Sequence, residues 1–330
     1  MGTYKGIKGF KVQSLASDPT LITGDIWYNT ASNVYKYTAN VGAWATGTAY
    51  PVSLQAWPGS AGTTTACVVW MGYGGDPPGV GYIKYGFEFN GTAWSNQQDK
   101  NTNTGAYQTG FGTQTAAVAG GGYTNVGGTT YNTTEEYNGV GWTSVNNMLN
   151  SMGMRGGVGI QTAGMEFGGS PIAAPPPSNL VEEYDGTTWT AGTAMTNARG
   201  ENTPHTGTQT AAFAVGGLGP PQRLLVEEWN GTSWSETTDI NTARAGAGGS
   251  GTTSLAMIFG GSTGSVTGAT ESWDGSAWTE LADLTTARQA GAAAGTDNTA
   301  ALMIVGAQPG YGNIVEEWTV ADAAKTVTTS

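Results

Sequence analysis

The chain has 330 residues, only 11% of them charged, and a formal net charge of −12. That balance excludes naked nucleic acid as a partner, because such affinity comes from Lys and Arg neutralising phosphates. Its 54 glycines disfavour helices, while 12 tryptophans and 38% apolar residues exclude a disordered chain.

Residues 1–11 carry Lys5, Lys8 and Lys11 and no acid, which leaves the remainder near −15. They read either as an edge strand guarded by lysines or as a segment that docks to a negatively charged partner. No apolar run follows Met1, so no secretory signal is expected, and Gly6 stands where a myristoylation pattern needs Ser or Thr. No stretch approaches the length of a transmembrane helix, so no membrane insertion is expected. Segments 24–30, 33–38 and 43–48 read as strands that lead to Trp44.

From there one phrase returns: an apolar run, two glycines, a loop, an acidic-aromatic pair, a tight turn and a tryptophan. Trp44, Trp94, Trp142, Trp189, Trp234 and Trp278 mark it, at spacings of 50, 48, 47, 45 and 44 residues. A period in this range, filled with strand-like runs, predicts the blades of a β-propeller. Residues 243–286 illustrate one unit. A small-residue inner strand ends at Gly251, and an apolar strand runs from Ser254 to Phe259 before Gly260-Gly261. The third strand, 269–273, and the fourth, 277–281, flank Asp274-Gly275. Asn/Asp-Gly recurs in phase at 90, 138, 185, 230 and 274, and predicts two-residue type I′ hairpins. Aromatic pairs flank each turn: Phe89 and Trp94, Tyr137 and Trp142, Tyr184 and Trp189, Trp229 and Trp234, Trp273 and Trp278. They read as blade packing rather than as a carbohydrate-stacking set.

The order apolar run, Gly-Gly, Glu-x-aromatic, Trp, Met or Leu, then Arg resembles the kelch repeat. The double glycines are 74–75, 121–122, 168–169, 216–217 and 260–261, weakening to Gly306-Ala307. The ends of the units are Met148 with Arg155, Met195 with Arg199, Ile240 with Arg244 and Leu284 with Arg288. The resemblance spans roughly 33–320 and implies an all-β, kelch-like β-propeller with four antiparallel strands per blade. Seven blades are favoured, the first degenerate; six, with the N-terminal strands closing the ring, is the alternative. A second, narrower resemblance rests on Gly24-Asp25-Ile26-Trp27-Tyr28-Asn29-Thr30 and on Gly-Thr-Gln-Thr-Ala-Ala at 112–117 and 207–212. These are similar to kelch-like structural proteins of tailed bacteriophages, especially marine ones. The expected division is an N-terminal segment, 1–23, and a single propeller domain, 24–330.

In such a blade the second-to-third loop and the blade-to-blade connection share one face. The candidate recognition residues on that face are Asp76, Tyr82, Tyr123, Asn125, Tyr131, Pro175, Pro176, Gln222, Arg223, Gln308 and Tyr311, since binding residues concentrate on irregular loops over a rigid scaffold. Arg155, Arg199, Arg244 and Arg288 at the same level are expected to form inter-blade ion pairs with Glu136, Glu183, Glu228 and Glu317, or else a ligand-binding ring.

Cys67 and His205 are the only Cys and His, so no disulfide and no copper or zinc ligand set is expected, and no cofactor. A triad through His205 lacks a nucleophile elbow. The Ser272–Trp278 segment has the wrong spacing for a sialidase Asp-box, and the Asn-x-Thr matches at 90 and 230 are hairpin turns. The resulting expectation is a non-enzymatic phage virion component, assembled in the host cytoplasm. It would be a tail or fibre adhesin for host recognition, or a capsid decoration. Its partners would be other virion proteins, met through Lys5, Lys8 and Lys11, and a host surface glycan or protein; a homo-oligomer is possible. The alternatives are a glycan-degrading virion enzyme and a cellular kelch-type scaffold.

Overall fold

The computed structural model describes residues 12–22, 24–74, 81–102, 105–124, 129–171, 177–200, 206–219, 224–308 and 312–327. Among them every regular element is a β-strand. The chain divides into two compact units, 1–43 with 319–330, and 44–318.

In the smaller unit, Gln13–Leu15 runs parallel to Ile26–Asn29, which pairs antiparallel with residues 34–37. Asp18 is its hub. Its carboxylate accepts from Lys36 Nζ at 2.8 Å, Asn29 Nδ2 at 2.8 Å and Trp27 Nε1 at 3.3 Å. Lys36, foremost, holds that carboxyl below its ordinary range. The Trp27 and Asn29 of the opening motif are therefore spent on this local frame.

The larger unit is a series of four-stranded antiparallel sheets with a β-propeller-like arrangement. The first contains Gly59–Gly62, Cys67–Trp70, Gly86–Phe89 and Trp94–Asn96. The second contains Thr109–Thr113, Ala116–Gly120, Thr134–Tyr137 and Trp142–Val145. The third contains Gly156–Ile160, Ala163–Phe167, Val181–Tyr184 and Trp189–Ala191. The fourth contains Gly207–Thr208, Ala211–Val215, Val226–Trp229 and Trp234–Glu236. The fifth contains Gly248–Gly251, Ala256–Phe259, Thr270–Trp273 and Trp278–Glu280. In a further sheet Ala292–Gly295 and Ala300–Ile304 are followed by residues 315–318 and then, out of chain order, by residues 44–46.

The apolar second strands are buried on both faces, which explains why they read as unbroken hydrophobic runs. First strands are rich in small residues because the Trp70 indole occupies the space there: a Cβ on Gly59, its partner in the same sheet, or on Gly110 of the next sheet would collide with it. Cys67 lies in this core, and burial pushes its thiol up to about 12.

The aromatic pairs stand opposite each other across every third-to-fourth hairpin. Their centroids are 4.8 to 5.5 Å apart. The predicted two-residue type I′ turn is absent. Each hairpin encloses four residues, and only its glycine has positive φ, for example 88° at Gly231. The Asn or Asp is there for its side chain. Asn230 Oδ1 accepts from Thr232 and Ser233 N–H, both at 3.0 Å, and Asp274 Oδ1 from Ser276 and Ala277 N–H, both at 2.9 Å.

The repeated polar residues bind one sheet to the preceding one. Gln114 donates to Cys67 O and Phe89 O, Gln161 to Ala117 O and Tyr137 O, and Gln209 to Gly164 O and Tyr184 O. Each glutamine thus ties the first hairpin of its sheet to two strands of the neighbour. The hairpin tryptophans do likewise: Trp189 Nε1 donates to Thr134 Oγ1, Trp234 to Thr193 O and Trp278 to Thr238 O.

Two substitutions check this frame. Asn230→Ala loses two turn hydrogen bonds and should cost about 1 kcal/mol in urea unfolding. Gln209→Ala leaves the buried end of a two-acceptor latch empty and should cost about 1–3 kcal/mol with far-UV circular dichroism unchanged.

Candidate functional site

At one end of each sheet the segment leading into the first strand bonds to the start of the second-to-third loop. Isolated bridges link Gly153 to Ser170, Gly200 to Leu218, Ala245 to Ser262 and Gln289 to Ala307. The connections and irregular loops therefore share an end, as the sequence reading placed them.

Under this end lies a set of buried ion pairs. Arg199 Nη2 donates to Glu227 Oε1 at 2.7 Å, Arg244 Nη2 to Glu271 Oε1 at 2.5 Å, Arg288 Nη1 to Glu316 Oε1, and Arg155 Nη1 to Glu182 Oε1 at 2.9 Å. Each arginine pairs within the sheet that it leads into, not across sheets. Its partner is the first acid of the repeated pair, not the expected Glu183, Glu228 or Glu317. Strand alternation explains the correction: adjacent residues face opposite sides, and the first acid is the buried one. Glu271-Ser272 in the fifth sheet already carries that signal in the sequence, since only the first position stays acidic. The second acids have other work; Glu136 accepts from Tyr184 Oη at 2.8 Å.

Each buried carboxylate also accepts from the backbone of the connection that arrives from the previous sheet. The donors are Thr102 and Asn101 N–H to Glu135, Leu149 N–H to Glu182, Thr196 N–H to Glu227, Asn241 N–H to Glu271 and Thr285 N–H to Glu316. Arg199, Arg244 and Arg288 stand one residue before the bridge, whereas Arg155 stands two residues after it. In the first sheet Phe87 takes the glutamate's place, and Tyr50 packs on it edge-on at 5.1 Å.

The third sheet holds an exception. Glu166 lies opposite Glu182, where the other sheets place Val69, Ala119, Ala214 and Ile258. It is buried, 3.8 Å from Arg155 Nε, and neither of its oxygens nor that Nε has a hydrogen-bond partner among the described residues. Burial, opposed by Arg155, pushes the Glu166 carboxyl up to about 8. Burial likewise brings the Lys100 ammonium, 3.7 Å from Glu135, down to about 8.

Around the same end, the residue that follows the bridge is left-handed in the five sheets where it is described: Trp57 with φ 54°, Tyr107 with 62°, Met154 with 59°, Gly246 with 63° and Ala290 with 58°. These residues form a backbone chain from sheet to sheet. Ala290 N–H donates to Gly246 O, Trp57 N–H to Ala290 O, Tyr107 N–H to Trp57 O and Met154 N–H to Tyr107 O, at 2.6 to 3.1 Å. For a residue other than glycine this conformation costs about 1–2 kcal/mol. Trp57 and Tyr107 stack with centroids 4.1 Å apart and planes at 24°, and Tyr123 meets Tyr107 edge-on at 5.6 Å. A cavity of about 50 Å³ opens beside them, lined also by Gln108, Met154 and Arg155.

Of the recognition residues expected from the sequence, Tyr123 is buried in this cluster, while Tyr131 and Gln308 are half-buried nearer the loops. Tyr82 belongs to a short strand that pairs with Tyr73. Asp76, Asn125, Pro175, Pro176, Gln222, Arg223 and Tyr311 lie outside the described residues, as do Lys5, Lys8, Lys11 and His205. Trp57 and Tyr107 were not legible as site residues, although Trp57 falls outside the periodic tryptophan series.

A larger cavity, about 450 Å³, is lined by first-hairpin residues of successive sheets, including Thr63, Thr113, Ile160, Thr208, Thr252 and Thr296. Thr63, Thr208 and Thr252 spend their hydroxyls accepting from N–H groups of their own turns. Among the described residues its lining carries no charged side chain.

Arg244→Leu strands the buried Glu271 and should cost about 3–5 kcal/mol in denaturant unfolding. Glu166→Gln should act in the opposite direction and with pH. A carboxyl whose folded pKa lies above its unfolded value favours folding fully below the unfolded value, and loses that contribution as pH rises through the folded one. The variant should therefore match the parent near pH 4.5 and gain stability progressively to about pH 8, read as Tm across buffers. Comparison with protein-family models and with curated proteins finds no match.

Proposed function

We propose that the chain is a closed, six-bladed, kelch-like β-propeller serving a tailed-phage particle as a non-catalytic recognition component. It would sit on the tail or fibre as a host-binding adhesin, or on the capsid as decoration. Six blades are favoured over seven for two reasons. Residues 44–46 supply the outer strand beside 315–318, and the last sheet reaches the first through Trp57 N–H to Ala290 O and Ser60 Oγ to Ala293 O, at 2.9 Å for the latter. The segment 24–37, which the seven-blade expectation used as a degenerate blade, pairs in the smaller unit instead.

The observation that carries the recognition reading is the division of labour between the ends of the sheets. The Trp, Gln and Glu of the repeat are consumed in hydrogen bonds to the neighbouring sheet or its connection, and the Arg in an ion pair within its own sheet. What varies from sheet to sheet is the loop-bearing end and its aromatic rim. The virion assignment rests on the resemblance of the Gly-Thr-Gln-Thr-Ala-Ala and 24–30 segments to phage structural proteins.

Two measurements test it. Gold-labelled antibody on purified particles should mark this protein, and fluorescently labelled protein should adsorb to host cells. Unlabelled particles, or release of new reducing ends from host polysaccharide by the purified protein, would contradict the reading and favour a cellular scaffold or a depolymerase respectively.

A further inference from the structure

We propose that the stacked Trp57 and Tyr107 form a platform that binds a ring of an uncharged saccharide at the loop-bearing end of the larger unit. This proposal deepens the recognition reading and rests on it.

The first support is the backbone. The linked left-handed positions do not need a large side chain, because Gly246 and Ala290 occupy them in two of the sheets. Three successive sheets nevertheless place Trp57, Tyr107 and Met154 there, in a conformation that penalises every residue except glycine. Strain held at adjacent positions of one surface, and carried by large side chains, points to a use for those side chains.

The second support is geometry. The two rings lie nearly parallel at 4.1 Å, and both residues are half-buried rather than enclosed. Tyr123 braces Tyr107 from the side. Rings fixed in this way bind a flat apolar face without losing further rotamer freedom, and a pyranose offers such a face of C–H groups.

The third support is the polar content of the adjoining cavity. Its charged lining residue, Arg155, is enclosed, and its Nε lacks a hydrogen-bond partner among the described residues. The cavity has room for one or two waters or for a single hydroxymethyl arm, about 30 Å³ each. Arg155 is already faced by Glu182 and Glu166, so the site offers a donor without a net positive charge. An acidic saccharide would also meet a chain of net charge −12. These conditions select a neutral sugar, with stacking as the main attraction and one hydroxyl directed toward Arg155.

The test uses the full chain and a set of immobilised polysaccharides: dextran, mannan, galactan and xylan as neutral probes, alginate and hyaluronan as acidic ones. At least one neutral polymer should retard the protein in affinity electrophoresis, and the acidic polymers should not. Trp57→Gly, which suits the left-handed backbone, should weaken that binding about tenfold or more, and Trp57→Phe less. If either variant fails to fold, saturation-transfer NMR on the unaltered protein should place the bound sugar against indole and phenol protons. Binding that is restricted to acidic polymers, unaffected in folded Trp57→Gly, absent throughout, or without aromatic saturation transfer overturns the platform. Adsorption to host cells separates the two readings. If the parent and Trp57→Gly adsorb equally, recognition stands and the platform falls; if the parent does not adsorb, recognition itself falls.

Discussion

The larger unit depends on a buried carboxylate at the second position of a third strand. Glu135, Glu182, Glu227, Glu271 and Glu316 each accept backbone N–H groups from the connection that arrives from the previous sheet. These carboxylates reach from the buried strand to the N–H groups of a loop whose residues are themselves largely exposed, and so fix its path between sheets. Arginine then balances the charge that this solution places in the interior. Arg199, Arg244 and Arg288 do so from one position and Arg155 from another, while Lys100 stands beside Glu135. The first sheet dispenses with the ion pair and uses Phe87 against Tyr50. The same mechanical task has an ionic and an apolar solution within one chain.

Much of this frame was legible in the sequence, because it repeats. The tryptophan period located the repeat, and unbroken apolar runs ending in glycines marked the buried second strands. Two local readings went astray for identifiable reasons. Asn-Gly and Asp-Gly carry the same letters in a two-residue hairpin and in a four-residue turn capped by the Asn or Asp side chain; strand register, which sequence does not display, separates them. The ion pairs expected of Glu183, Glu228 and Glu317 belong to the preceding residue, because two adjacent acids look alike until one face of the strand is known to be buried. Glu271-Ser272 contains the answer, but only when the repeats are compared position by position.

The functional end was legible only in part. The irregular loops announced themselves by breaking the period. The aromatic rim did not, because Trp57 and Tyr107 sit just before first strands, where the pattern predicts small residues. A left-handed backbone under a tryptophan leaves no mark in composition. Glu166 is similar: one acid in a strand of apolar neighbours looks like noise until its register opposite Glu182 is seen. In both places the chain departs from what its own scaffold requires, and those departures mark where selection for something other than folding is to be sought.

Amide hydrogen exchange, followed residue by residue by NMR, tests the carboxylate account most directly. Thr102, Leu149, Thr196, Asn241 and Thr285 lie in connections, yet their N–H groups end on buried glutamates. These amides should exchange as slowly as those of the second strands, through global unfolding alone. Exchange at the rate of ordinary surface loops would contradict the account, and would return the glutamates to the status of incidental buried charge.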